Sequence, residues 1–143
     1  MRFGDHDLND ALEDFNTKRA LEAFDLLFNA RDYEMAARYW SPGFAQRAPQ
    51  FPKGRHDLID FVRNLPDTLR LEVQQVVAED DFVAIYGRYT GLGAGRQKRV
   101  CSHLLRMKDG LIAEQWCVTA DEPQPTFPAS VLPQRQRRDL LVV

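Results

Sequence analysis

The chain reads as a single α+β domain in which three amphipathic helices precede an antiparallel meander. Two observations predict this. Apolar residues recur every three to four positions as far as Leu65 and every second position from Thr68 onward. Turn residues then separate the successive alternating runs, so helices laid on one face of a curved sheet are expected. A length of 143 residues, with 44% hydrophobic and 10% aromatic side chains, suits one core and not two.

Asn16 or Thr17 can cap the first helix, whose buried stripe is Leu21, Phe24, Leu27 and Phe28. Asn29–Asp32 breaks it. A second short helix carries Tyr33, Ala36, Ala37 and Trp40 on one side and ends at Ser41-Pro42-Gly43. Phe44–Arg47 is a short extended piece, and Pro49 and Pro52 keep the chain out of helix until Gly54. The third helix runs to about Leu65 with Leu58, Ile59, Phe61 and Val62 apolar, and Pro66 stops it.

Four strand-like runs follow: one from Thr68 in which Leu69, Leu71 and Val73 alternate with polar residues, then Phe82–Thr90, Lys98–Met107 and Leu111–Thr119. The turn Lys108-Asp109-Gly110 fits a type I turn with Gly110 left-handed, which makes a bulge. That register sets His103 opposite Gln115 and Cys101 opposite Cys117, and it is preferred. A plain two-residue Asp-Gly turn is the alternative and would set Ser102 opposite Cys117.

A formal net charge of −2 gives no electrostatic case for nucleic acid or an anionic membrane as partner. Two cysteines are too few for a disulfide scaffold, residues 1–10 are too polar and acidic for a secretory signal, and no apolar run is long enough to span a bilayer. The cytosol is the expected compartment. Residues 1–14 read as an N-terminal arm and 15–122 as the folded domain. Residues 123–143, rich in Pro and Arg and ending Leu140-Leu141-Val142-Val143, read as a tail: a mobile end, or an apolar plug for a pocket or partner subunit.

Three stretches carry a family resemblance. They are Phe44-Ala45-Gln46-Arg47-Ala48-Pro49 followed by Gly54 opening a helix, the run Val77–Ala84, and Leu105–Val118 with its Glu114-Gln115-Trp116. Together they resemble the SnoaL-like polyketide cyclase family over roughly Thr17 to Glu122. The resemblance implies the cone-shaped fold of nuclear transport factor two, ketosteroid isomerases and limonene epoxide hydrolases, a bent antiparallel sheet wrapped around three N-terminal helices. It also implies a deep, mostly apolar cavity and homodimers formed through the outer sheet face. The fold hosts enzymes and binders alike, so it does not by itself settle function.

The departures bear on chemistry. Family members commonly have histidine where this chain has Arg47, and His-Trp-Asp where it has Gln115-Trp116-Cys117. The aspartate that resembles a proton-moving general acid/base in the cyclases is here the thiol of Cys117. The family's acidic residue on the preceding strand falls at His103.

In the bulged register Cys101, His103, Gln115 and Cys117 share one face, which the resemblance makes the pocket face. His103 can act as acid or base near neutrality with Gln115 orienting its ring, or it is simply a satisfied buried histidine. Cys117 is a nucleophile if its thiolate is favoured and otherwise, like Cys101, a small apolar residue. Arg47 at the mouth of a cone can hold a carboxylate or enolate, or pair with an acidic neighbour. Tyr39, Trp40, Phe44 and Phe61 wall the cavity or fill the core.

No metal or cofactor is expected from these side chains. Gly91-Leu92-Gly93-Ala94-Gly95 imitates a phosphate loop but joins two strands without a following helix. Arg96-Gln97-Lys98-Arg99 with Arg88 reads as a solvated hairpin end, with attraction of an anionic ligand as the alternative. Two functions follow. One is a non-catalytic pocket protein for an apolar or carbonyl-containing ligand. The other is a cofactor-independent isomerase- or cyclase-type enzyme with His103 as acid/base.

Overall fold

A computed structural model of the chain describes residues 5–93 and 98–122. The first helix, α1, spans Asp5–Phe24, and one π-helical turn, Asp25–Asn29, continues it. It therefore starts well before the expected cap at Asn16 or Thr17. Asp7 and Asp10 lie in its first turns, where carboxylates oppose the positive end of the helix dipole, and no Gly or Pro interrupts the segment. Leu8, Leu12 and Phe15 stay exposed along this part. The buried stripe thus begins only at the second half, which is the half that periodicity detects.

The second helix, α2 (Tyr33–Ala37), is capped by Asp32, whose carboxylate accepts from the Met35 amide at 3.2 Å. It ends before Trp40. Trp40 instead opens β1 (Trp40–Gln46), which contains Ser41-Pro42-Gly43. A proline is tolerated there because β1 is an edge strand and the pairing is irregular between Trp40 and Ala45. Gly54 precedes α3 (Arg55–Arg63), which buries Leu58, Ile59 and Val62.

The strands β2 (Arg70–Glu79), β3 (Phe82–Thr90), β4 (Arg99–Lys108) and β5 (Leu111–Asp121) form the expected meander. Among the described residues the sheet runs β1-β5-β4-β3-β2. Since β1 pairs parallel with β5, the sheet is mixed and open, where antiparallel pairing throughout was expected. The helices cover one face, and the core gathers between them and the inner side chains of the sheet, among them Val83, Ile85, Leu105 and Ile112.

The β4–β5 turn is the two-residue Asp-Gly turn of the alternative, but beyond a bulge the pairing matches neither expected register. Asp109 and Gly110 form a two-residue turn with φ of 53° and 76°, so Lys108 pairs with Leu111. A bulge follows: Met107 pairs with Ile112 and Arg106 with Glu114, leaving Ala113 without a partner. Beyond it His103 lies opposite Cys117, Cys101 opposite Thr119 and Gln115 opposite Leu105. The pairing is displaced by two residues from the preferred register, and an even displacement leaves every side chain on its expected face.

Ala94–Gln97 of the glycine-rich loop and the tail from residue 123, with its apolar end, lie outside the described residues. Among the described residues no helix is long and apolar enough to cross a membrane.

Candidate functional site

A cavity of about 270 Å³ lies between α3 and the inner face of the sheet. This is just below the usual range for small-molecule pockets, roughly 300–1,000 Å³. One side is apolar. Leu58, Phe61 and Val62 come from α3, Phe28 from the π-helical turn, and Phe51 and Leu92 from loops. The strands supply the polar groups: Gln46 from β1, Tyr89 from β3, Arg99 and His103 from β4, and Gln115, Cys117 and Thr119 from β5. They converge because alternate residues of a strand share a face, and Arg99, Cys101 and His103 or Gln115, Cys117 and Thr119 are two apart.

His103 is the centre of the polar wall. Its Nδ1 receives the Gln115 side-chain amide at 2.9 Å, and its Nε2 lies 2.9 Å from the Tyr89 hydroxyl. With Nδ1 accepting, the ring proton sits on Nε2 and is donated to Tyr89. Cys117 Sγ stands 3.9 Å from the same nitrogen, and the ring of Phe24 meets the imidazole edge-on at 4.9 Å. Burial lowers the His103 pKa from 6.5 to about 4, so the imidazole is neutral at physiological pH. Burial likewise pushes the Cys117 thiol up to about 12 and the Cys101 thiol up to about 11. Tyr89 is held well above the ordinary phenol value, chiefly by burial. Every one of these groups is therefore uncharged near neutrality.

The expected site residues divide between wall and core. His103, Gln115, Cys117 and Phe61 line the cavity. Gln115 orients His103 as anticipated, but as a diagonal neighbour and not from directly across, while Cys117 takes the facing position. Cys101 is buried beside the site in the core. Trp40 and Phe44 are core residues, Trp40 stacked on Phe24 at 6.0 Å. Tyr39 lies away from the cavity, its hydroxyl donating to Glu22 at 2.9 Å and its ring beneath the Arg19 guanidinium. Arg47, one step past Gln46, points outward and is 55% exposed. It pairs with Glu114, which also receives Arg106 at 3.0 Å, and the two guanidinium groups, Arg106 first, hold that carboxyl below its usual range.

Three polar wall residues were not anticipated, Gln46, Tyr89 and Thr119, and a fourth, Arg99, was expected at a solvated hairpin end with attraction of an anionic ligand as the alternative. Tyr89 had a usable signal, since it continues the inward series Val83, Ile85, Gly87. Gln46 had one too, since it alternates with Phe44. Among the described residues no cluster of three or more His, Cys, Asp or Glu side chains is placed to hold a metal ion.

The chain is an α+β domain with a cavity at the helix–sheet interface, and it belongs to the SnoaL-like domain family, whose profile matches residues 20–115. Solved structures share the fold. A Kribbella flavida protein provisionally named a ketosteroid isomerase is 22% identical, with a TM-score of 0.69 over 85% of this chain and 90% of that one. A Jannaschia protein provisionally named a SnoaL-like polyketide cyclase is 24% identical, with a TM-score of 0.64 over 76% and 87%. An LEH-like epoxide hydrolase from M. tuberculosis is 12% identical, with a TM-score of 0.64 over 76% and 84%. At these identities the likeness is one of fold. No curated protein matches the sequence.

Proposed function

We propose that the protein is a non-catalytic binder of a small apolar or carbonyl-containing molecule, held in the cavity between α3 and the sheet. The observation that carries this reading is the state of the polar wall. His103 is neutral, the Cys117 thiol is protonated, and no carboxylate lines the cavity among the described residues. A base with a pKa of about 4 is a poor proton acceptor at neutral pH, whereas a neutral donor–acceptor wall suits recognition of a carbonyl.

Native mass spectrometry of the purified protein incubated with acetophenone is expected to give one adduct per chain, with the ketone recovered unchanged. One observation favours the second reading, an isomerase- or cyclase-type enzyme with His103 as acid/base: the continuous Tyr89–His103–Gln115 hydrogen-bond chain on the cavity wall. Product formed from a carbonyl substrate by the wild type and lost in His103→Gln would replace the binder with that enzyme.

A second copy of the chain is the proposed partner, docked through the outer sheet face. Support comes from an apolar row of cross-strand neighbours, Val77, Ala84, Leu104 and Trp116, with Tyr86 and Val118 exposed beside it. Sedimentation is expected to give a dimer that Trp116→Glu converts to monomer, and a monomeric wild type would remove the proposal. The reducing cytosol remains the compartment of choice, in keeping with two free cysteines.

A further inference from the structure

The basic run Arg96-Gln97-Lys98-Arg99 ends in the first residue of β4, Arg99, whose side chain reaches the cavity wall. It is the only cationic residue among the described wall residues, in company that is otherwise apolar or uncharged. Its guanidinium donates to Asp121 at 2.8 Å and to the Thr119 hydroxyl at 3.1 Å. The Arg99 side chain is 40% exposed and that of Asp121 66% exposed, so solvent already screens their pairing and an incoming anion competes with it at little cost. Asp121 itself is not part of the wall.

We infer that the cavity selects a monocarboxylate with an apolar body, its carboxylate on Arg99 and its body against the α3 wall. This rests on the reading of the cavity as a ligand site and names the chemical class that the site takes. Three features converge on it. A planar guanidinium with N–H groups to spare matches a carboxylate in geometry as well as charge. Phe51, Leu58 and Phe61 offer an apolar surface that a hydrophilic anion such as phosphate would leave unused. The polar wall groups, being neutral, do not repel a negative charge brought into the cavity.

The test is a set of protein-observed NMR titrations with hydrocinnamate and its neutral isostere hydrocinnamamide, repeated with naphthylacetate and naphthylacetamide. Each carboxylate is expected to bind on the order of 10-fold more tightly than its amide at low salt, with the preference shrinking as salt is added. In Arg99→Met the preference falls below about 2-fold while the Kd of the amide stays within that margin, since only the charged contact is lost. Asp121→Asn, which removes the competing carboxylate, is expected to tighten carboxylate binding by roughly 3-fold without affecting the amide. Dispersed amide spectra of both variants establish that they fold. Equal binding of acid and amide by the wild type would overturn this inference and leave the ligand-site reading standing. So would a preference that survives Arg99→Met. Failure of all four probes to bind would overturn both.

Discussion

Trp40→Ala is expected to destabilise the fold by about 3–5 kcal/mol, the usual cost of emptying a buried tryptophan site. The indole is 1% exposed and stacks on Phe24 with an interplanar angle of 9°, and Phe24 in turn buttresses His103. Its removal opens a void beneath the strand that carries Gln46. Trp40→Phe should cost much less, no more than about 1 kcal/mol. The ring stack survives, and the buried indole N–H, which has no hydrogen-bond partner among the described residues, disappears with its desolvation penalty. Urea denaturation of the two variants checks this. A phenylalanine variant as unstable as the alanine variant would mean that the N–H is satisfied and that stacking is not what holds the residue. The comparison also separates core from site, since a folded Trp40→Phe protein should bind ligand as the wild type does.

The helix–strand order was legible because amphipathic periods are local. The second strand-like run was expected at Phe82–Thr90, and β3 occupies those residues, since a period of two bounded by turn residues needs no knowledge of partners. The bulge at Ala113 was not legible. It sits where β5 meets β1: the Ile112 amide donates to the Tyr39 carbonyl at 2.8 Å, and the β1–β5 register shifts between Trp40 and Ala45, just where β5 passes Ala113. Pairing with a strand some 70 positions away decides that geometry, and turn chemistry near Asp109 carries no trace of it. The parallel edge strand escaped for the same reason, as Pro42 and Gly43 argue locally against a strand.

The candidate site shows how much parity alone can do. His103, Gln115 and Cys117 reached one face although every cross-strand partner assigned to them was wrong, because an even slip preserves the face. Parity does not say which end of an inner face borders a cavity. Trp40 and Phe44 have the inward parity of Gln46, yet they lie where α1 fills the space with Phe24. Arg47 has the opposite parity and so meets Glu114 away from the cavity. Arg99 belongs to the inward series of Cys101 and His103, but its charge and the neighbouring basic residues made a solvated hairpin end the natural reading.

Acid lability is the second large effect expected, and His103 is its source. Folding lowers the imidazole pKa from 6.5 to about 4, because the ring is buried among Phe24, Tyr89, Gln115 and Cys117, none of which bears a charge that would stabilise the imidazolium. Between those values the unfolded chain binds a proton that the folded one does not, so stability rises with pH across this window. The contribution is complete above 6.5 and is lost as pH falls toward 4; at 1.36 kcal/mol per pH unit it amounts to about 3 kcal/mol. Glu114, held low by Arg106 and Arg47, also loses its contribution in acid, but only below the ordinary carboxylate range of about 4.5, so the two effects separate. Urea midpoints should therefore drop between about pH 6.5 and pH 5 in the wild type and stay nearly level in His103→Gln, whatever the variant's absolute stability. The imidazole resonances of His103 should not move over the same range. Parallel pH slopes in wild type and variant, or an imidazole that titrates near 6.5, would show that the ring is hydrated or charge-paired, and the neutral wall on which the binder reading depends would go with it.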